Sequence, residues 1–301
     1  MNRPEPKHLL KLEGFDPDAA RLILRKATRF KNERGLPGLP QPLQDQTWAL
    51  IFSKASTRTR VSFEVGIREL GGRPLFLSAT DIQLGRGEPI IDTARVLGRM
   101  VHGAIIRTFA GKDVDDFAAY ARIPTVNALT DDEHPCQVLT DIFTFEEKRG
   151  PIEGRKVAFI GDAACNMGRS FAFAAEMFGF DLWFAAPEGF ECNVQNSFCR
   201  QVHDPFEAAR DADLLCTDVW VSMGKEEEAE ARERIFTPYR IDHELLRVAK
   251  PNALVLHCLP AYRNKEISAS LFEERAQDIF DQAENRLHVQ KSILNWLVSA
   301  I

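Results

Sequence analysis

Short apolar runs alternate along this chain with segments of helical period, and that alternation restricts the folds open to it. In the first half the runs are Trp48–Phe52, Pro74–Leu77, Ala104–Phe109 and Thr125–Leu129. In the second half they are Val157–Ile160, Leu182–Ala185, Leu214–Thr217, Leu254–His257 and Asp278–Phe280. Most are unbroken Val, Ile, Leu and Phe without polar alternation, which is the pattern of strands covered on both faces of a parallel sheet. Helices fit between them. Asp16-Pro17 supplies a cap and a first-turn proline, Arg58 to Leu70 stops at Gly71-Gly72, and Pro89 precedes Ile90, Ala94, Leu97 and Val101 at helical spacing. His134-Pro135 opens another helix, and the last is expected over 284–301, with Leu287, Leu294, Leu297 and Ile301 on one side. The reading is an α/β chain with two open, mostly parallel sheets. Gly150-Pro151-Ile152-Glu153-Gly154-Arg155 breaks helix before a fresh strand, so the domains are expected at 1–149 and 150–283. A length of 301 residues agrees with two domains at about 150 each.

Several classes of partner are disfavoured. The formal net charge of −6 and the lack of a basic face or tail argue against nucleic acid. The longest apolar stretch, Phe171 to Ala186, is broken by Glu176 and Asp181, too early for a membrane span. The first eight residues show no apolar leader segment, and six cysteines with no CxxC pair read as free thiols, so a cytoplasmic protein is expected.

The sharpest local signal is the run Ser53-Lys54-Ala55-Ser56-Thr57-Arg58-Thr59-Arg60 after strand Trp48–Phe52. A buried strand entering a hydroxyl-rich turn and then a helix presents free backbone N–H groups to an anion. Ser56, Thr57 and Thr59 add hydroxyls, and Arg58 adds a guanidinium fork. The plain alternative is a Ser/Thr helix cap with solvated arginines. Arg107 lies inside an apolar strand run, where a guanidinium is costly unless paired or facing a ligand. The alternative is a strand-end arginine reaching solvent. His134-Pro135-Cys136-Gln137 marks the next strand-to-helix junction. His134 there can donate to a carbonyl oxygen and Gln137 can bind an amide, or both are structural. His-x-Cys is too sparse for zinc.

In the second half, Gly161–Gly168 follows a strand but lacks GxGxxG and P-loop spacing, which weakens any dinucleotide reading. Asn166 in that loop suits a carboxylate or amine. Asp218 at a strand end suits a substrate ammonium, or is a loop residue. His257 and Cys258 are adjacent strand residues facing opposite ways, so a Cys–His dyad is not expected, and Cys258 reads as a weak hydrogen-bonding group. Arg286 precedes the last amphipathic helix. Every polar candidate follows the carboxyl end of a strand, where open α/β sheets bind ligands. This leads to the expectation of two ligand sets across one interdomain crevice, one for a phosphate and one for a zwitterion. A transfer from a phosphorylated donor to an amine fits both.

Taken in order, these segments resemble the aspartate/ornithine transcarbamylase family along nearly the whole chain, and its ornithine-using branch in particular. Ser56-Thr57-Arg58-Thr59, Arg107-Thr108 and His134-Pro135-Cys136-Gln137 are similar to its carbamoyl-phosphate ligands. Gln83–Glu88 resembles a loop that reaches a neighbouring subunit's site, and Asp218–Gly224, with Ser222 and Met223, resembles the ornithine segment. His257-Cys258-Leu259-Pro260 and Glu284-Asn285-Arg286 complete the match. The sequence departs at Cys165-Asn166 where the family has paired Asn, at Arg169 where Asn is common, and at Tyr262 where His is frequent. The resemblance implies carbamoyl transfer from carbamoyl phosphate to L-ornithine, without metal or cofactor, in a homotrimer. It implies Arg58, Arg107, His134 and Cys258 as catalytic. It implies Ser56, Thr57, Thr59, Gln83, Pro135, Cys136, Gln137, Leu259 and Arg286, with those four, as carbamoyl-phosphate ligands. Asn166, Asp218, Ser222 and Met223 become ornithine ligands, and helix 284–301 returns to the first domain. Competing readings are a transcarbamylase for putrescine or an acylated ornithine, an NAD(P) oxidoreductase, and a non-catalytic metabolite-binding relative.

Overall fold

The computed structural model describes residues 5–78, 87–221 and 228–299. The first described elements are β1 (His8–Leu9), α1 (Pro17–Asn32), β2 (Thr47–Phe52), α2 (Thr57–Glu69), β3 (Arg73–Ser78), α3 (Ile90–Leu97), β4 (Gly103–Arg107), α4 (Gly111–Ala121) and β5 (Thr125–Leu129). Then come α5 (Pro135–Arg149), β6 (Lys156–Ile160), α6 (Asn166–Phe178), β7 (Asp181–Ala185), β8 (Cys199–Val202) and α7 (Pro205–Ala209). The remainder is β9 (Leu214–Thr217), α8 (Ala229–Phe236), α9 (His243–Leu246), β10 (Leu254–His257), α10 (Ala269–Glu274) and α11 (Ala276–Val298). Two compact units result: Met1–Leu139 with Asn285–Ile301, and Thr140–Glu284.

In the first unit the sheet order is β1-β5-β4-β2-β3, with every pairing parallel. β2 lies inside the sheet, and Trp48 to Phe52 are all buried, as an unbroken apolar run requires. β4 can lie beside β2 only because residue 103 is glycine. A Cβ there would sit 2.5 Å from the Trp48 ring. Asp16 caps α1 through its carboxylate, which accepts from Asp18 N–H at 3.0 Å.

The second unit has a parallel sheet of order β10-β9-β6-β7-β8. One face packs an aromatic cluster in which Phe190, Trp220, Phe236 and Tyr239 meet ring to ring. Asp213, just before β9, accepts from Lys156 N–H at 3.0 Å and from Lys250 Nζ at 2.8 Å, which ties the starts of two strands to the segment before β10.

The expected class, two open parallel α/β sheets, is the one observed. Three local expectations need correction. Asp278–Phe280 is not a strand but lies in α11, which begins at Ala276 and not at Glu284. Ile279 is fully buried while Phe280 is exposed, an arrangement that three residues read alone cannot assign to strand or helix. α3 ends at Leu97, so Val101 lies outside it. Two strands went unread: β1 has only two residues, and β8 is an edge strand whose Arg200 and Gln201 are exposed.

Candidate functional site

In the first unit three strands end at the same edge of the sheet, and each hands over to a polar residue. β2 runs into the turn before α2. Ser56 caps α2, its Oγ accepting from Thr59 N–H at 3.3 Å. The cap leaves first-turn N–H groups turned outward, a geometry that attracts anions. Thr57 is exposed and Arg58 half-buried, and the Arg58 guanidinium makes no hydrogen bond or ion pair among the described residues. Thr59 is fully buried, and its Oγ1 accepts from Arg286 Nη2 at 2.7 Å. That bond joins residues 227 positions apart, because α11 brings Arg286 back into the first unit.

Arg107 ends β4, where the pairing with β5 slips between Ile106 and Arg107. Its carbonyl accepts from Ser53 N–H at 2.8 Å, which fixes the turn after β2 against β4. His134 precedes α5 and is 4% exposed, with Arg107 at 8% and Arg286 at 3%. Burial, then the charges of Arg286 and Arg107, hold the His134 imidazole well below its usual 6.5. It is therefore neutral at physiological pH. A neutral imidazole beside two buried guanidinium groups is a hydrogen-bonding group set in a strongly positive field. Pro135 opens α5. The Cys136 thiol donates to the Asn127 carbonyl at 3.4 Å, and burial pushes it up to about 12, so it stays protonated. Gln137 is fully buried.

Sequence reasoning passed over Lys54. It is buried, paired with Asp131, and lies 4.3 Å from the Phe109 ring centroid. Its place inside the hydroxyl-rich run was the available signal, but the partner lies 77 residues away.

The second unit builds a different group. Asp218 follows β9 and Cys258 follows β10, and these strands are neighbours in the sheet. Cys258 Sγ donates to Asp218 Oδ1 at 3.0 Å, and Val219 N–H donates to the same oxygen at 2.7 Å. No described residue hydrogen-bonds Asp218 Oδ2. Burial and the Asp218 carboxylate raise the Cys258 thiol well above its usual 9.0, so it is a donor and not a thiolate nucleophile. Cys165 caps α6, its sulfur accepting from Gly168 N–H at 3.5 Å, and burial followed by Asp218 raises it too. Asn166 is the first residue of α6 and half-buried. Arg169 donates to Asn193 Oδ1 at 2.9 Å. His257 faces Glu266, its Nε2 3.0 Å from Oε1, so it does not meet Cys258 in a dyad. Leu259 is half-buried with φ 59°.

Sequence reasoning also missed Arg232. It is buried, ion-paired to Asp162, and donates to the Trp220 carbonyl at 2.5 Å, so it pins the loop after β6 to the loop after β9. Gln83, Ser222 and Met223 lie outside the described residues. Among the described residues no group of three or more His, Cys, Asp or Glu is placed to hold a metal ion, and no helix is long and apolar enough to cross a membrane.

Two family models match the chain. The carbamoyl-P binding domain of aspartate/ornithine carbamoyltransferase matches residues 7–147, and the Asp/Orn binding domain matches residues 153–297. The chain belongs to the aspartate/ornithine carbamoyltransferase family. Within that family it is 52% identical to an ornithine carbamoyltransferase of Akkermansia muciniphila, over 97% of this chain and 98% of the relative. It is 46% identical to the anabolic ornithine carbamoyltransferase of Pseudomonas aeruginosa, over 97% of each chain. The ornithine carbamoyltransferase of Pyrococcus furiosus superposes with a TM-score of 0.92 at 41% identity, covering all of both chains. The carbamoyl-P model of the family holds Ser56 to Thr59, Arg107 and His134. Arg286 falls in the span of the other model, although it is the residue that bonds Thr59.

Proposed function

We infer that the protein transfers the carbamoyl group of carbamoyl phosphate to the side-chain amine of L-ornithine, giving L-citrulline and phosphate, as the biosynthetic step of arginine metabolism. Near full-length identity to proteins named ornithine carbamoyltransferase, one of them anabolic, supports the acceptor and the direction. The observation that carries the chemistry is the buried set of Arg107, His134, Arg286 and Thr59 beside the capped N-terminus of α2.

The phosphate takes the first-turn N–H groups of α2, the hydroxyls of Ser56, Thr57 and Thr59, and the Arg58 fork. Arg107 and neutral His134 polarise the carbamoyl carbonyl. As the amine nitrogen bonds to the carbonyl carbon, charge collects on that oxygen, and donors already in place stabilise it without reorganisation. The bond from carbon to the phosphate oxygen then breaks, and the phosphate leaves with its charge already compensated by Arg58 and Arg286. The amine attacks neutral, and its proton goes to the departing phosphate. Pro135, Cys136 and Gln137 place the start of α5 around the carbamoyl amide, with Cys258, Leu259 and Gln83 completing the donor's surroundings. Asp218 Oδ2 accepts from the ornithine amine, Oδ1 being held by Cys258 and Val219. Asn166, Ser222 and Met223 take the α-amino acid end. Orientation supplies much of the rate, and no covalent enzyme intermediate is needed.

We propose further that residues 1–149, with the C-terminal segment from residue 284 onward, form the carbamoyl-phosphate domain and 150–283 the ornithine domain. The working form is proposed as a cytoplasmic homotrimer. Phosphate release from carbamoyl phosphate, with ornithine, putrescine, an acylated ornithine or aspartate as acceptor and the carbamoylated product identified in each case, tests the reading. Turnover with ornithine at least a hundredfold above the others is expected, and preference for another amine overturns the assignment. Light scattering that finds no trimer overturns the assembly.

A further inference from the structure

Leu259 has φ 59°, in the left-handed region where a branched L side chain is crowded by its own backbone. Such a conformation persists only when its surroundings hold it. Here the hold is a chain of hydrogen bonds. Leu259 N–H donates to His257 Nδ1 at 2.9 Å. Because Nδ1 accepts, the proton of the neutral ring sits on Nε2, which faces Glu266 Oε1 at 3.0 Å. The same Oε1 accepts from Tyr262 N–H at 2.6 Å. Glu266 therefore grips both ends of the turn that runs from His257 to Tyr262 and carries Cys258. His257 is 1% exposed and Glu266 is fully buried. The Glu266 carbonyl also accepts from Ile241 N–H at 2.9 Å, which anchors the carboxylate to the interior of the second unit. No described residue hydrogen-bonds Oε2.

We propose that Glu266 is a positioning residue for the acceptor amine. Acting through His257, it fixes Leu259 and so aims the Cys258 thiol at Asp218 Oδ1. That contact leaves Oδ2 as the oxygen presented to the amine. Glu266 touches no reacting atom, and it acts on the amine through the Cys258–Asp218 contact.

The inference rests on the proposed carbamoyl transfer, and steady-state kinetics of the full-length protein separate the two. If the parent protein makes no citrulline, the proposed function fails. If it does, Glu266→Ala is expected to raise KM for ornithine at least tenfold, with a several-fold smaller rise in KM for carbamoyl phosphate, whose surroundings include Leu259. Glu266→Gln keeps an acceptor for both His257 Nε2–H and Tyr262 N–H, so it is expected to hold ornithine KM within threefold of the parent. Parent-like ornithine KM in folded Glu266→Ala overturns the proposal, as does an equal rise in both KM values. Should Glu266→Ala not fold, Glu266→Asp replaces it. One methylene shorter, it cannot reach both donors, and it is expected to show the same selective rise. An ornithine KM for Glu266→Asp equal to that of Glu266→Gln overturns the proposal in that case.

Discussion

Replacing Arg286 with alanine removes a side chain that ties the last helix to the anion-binding turn. Its guanidinium is 3% exposed and donates to Thr59 Oγ1 at 2.7 Å. A hydrogen bond from a charged donor contributes about 1.5–3 kcal/mol. Its attraction for a phosphate about 4 Å away is about 4 kcal/mol at the effective dielectric of ~20 that suits such sites. After the desolvation that accompanies binding, about 2–4 kcal/mol of carbamoyl-phosphate affinity should disappear, which is about a 30- to 700-fold rise in its KM. Arg286→Lys keeps the charge without the planar fork and should fall between the two. A second effect is tied to the first. Burial first, and then Arg286 with Arg107, hold His134 neutral. Without Arg286 the imidazole pKa rises toward 6.5, and the acid limb of the rate profile moves upward. The assays are steady-state kinetics in carbamoyl phosphate across pH, and thermal stabilisation by inorganic phosphate, which reports occupancy of the site directly. Folded Arg286→Ala with unchanged phosphate stabilisation and unchanged carbamoyl-phosphate KM would refute the placement of the phosphate beside Thr59.

Arg58→Ala should weaken phosphate and carbamoyl phosphate at least tenfold while leaving the denaturation midpoint near the parent's, because the guanidinium has no protein partner among the described residues; a calorimetric titration that finds unaltered affinity contradicts this. Asp218→Asn should lower kcat/KM for ornithine at least a hundredfold and leave carbamoyl-phosphate KM within a few-fold, and unchanged ornithine kinetics would count against an amine at Oδ2. His134 should make stability fall on acidification: its folded pKa lies well below the unfolded 6.5, so below pH 6.5 the unfolded chain binds a proton that the folded chain does not. Between those two values the loss is about 1.4 kcal/mol per pH unit, and a His134→Gln protein should show a correspondingly flatter slope in denaturant titrations across that range. Gly103→Ala should cost about 1–3 kcal/mol by denaturant unfolding, since its Cβ would enter the Trp48 ring; parent-like stability would mean that β2 and β4 separate more easily than their packing suggests.

The layers of this fold were readable because strands buried on both faces leave unbroken apolar runs, and β2, β4, β6 and β9 carry that mark plainly. β8 leaves none, since an edge strand with exposed Arg200 and Gln201 looks like loop. Asp278–Phe280 misled because three residues cannot separate a period of 2 from one of 3.6, and the buried positions that decide the matter, Gln282 and Arg286, lie beyond it. At the site, residue types at strand ends were visible but partners were not. Thr59 and Arg286, Asp162 and Arg232, and Cys258 and Asp218 meet only after distant segments fold together. The His257–Glu266 pair was hidden for a related reason. A glutamate nine positions past a histidine has no local signature, and only the turn between them brings the two side chains together.

The return of α11 also sets an order in time. A ribosome releases Arg286 more than two hundred residues after Thr59, followed by Lys291, which pairs with Glu69, and Ser292, which bonds the Ile23 carbonyl at 2.6 Å. The nascent polypeptide thus carries a roofless anion pocket until residue 286 has been added. A prematurely terminated product that stops near residue 280 would keep its hydroxyl turn yet lack the strut that completes it.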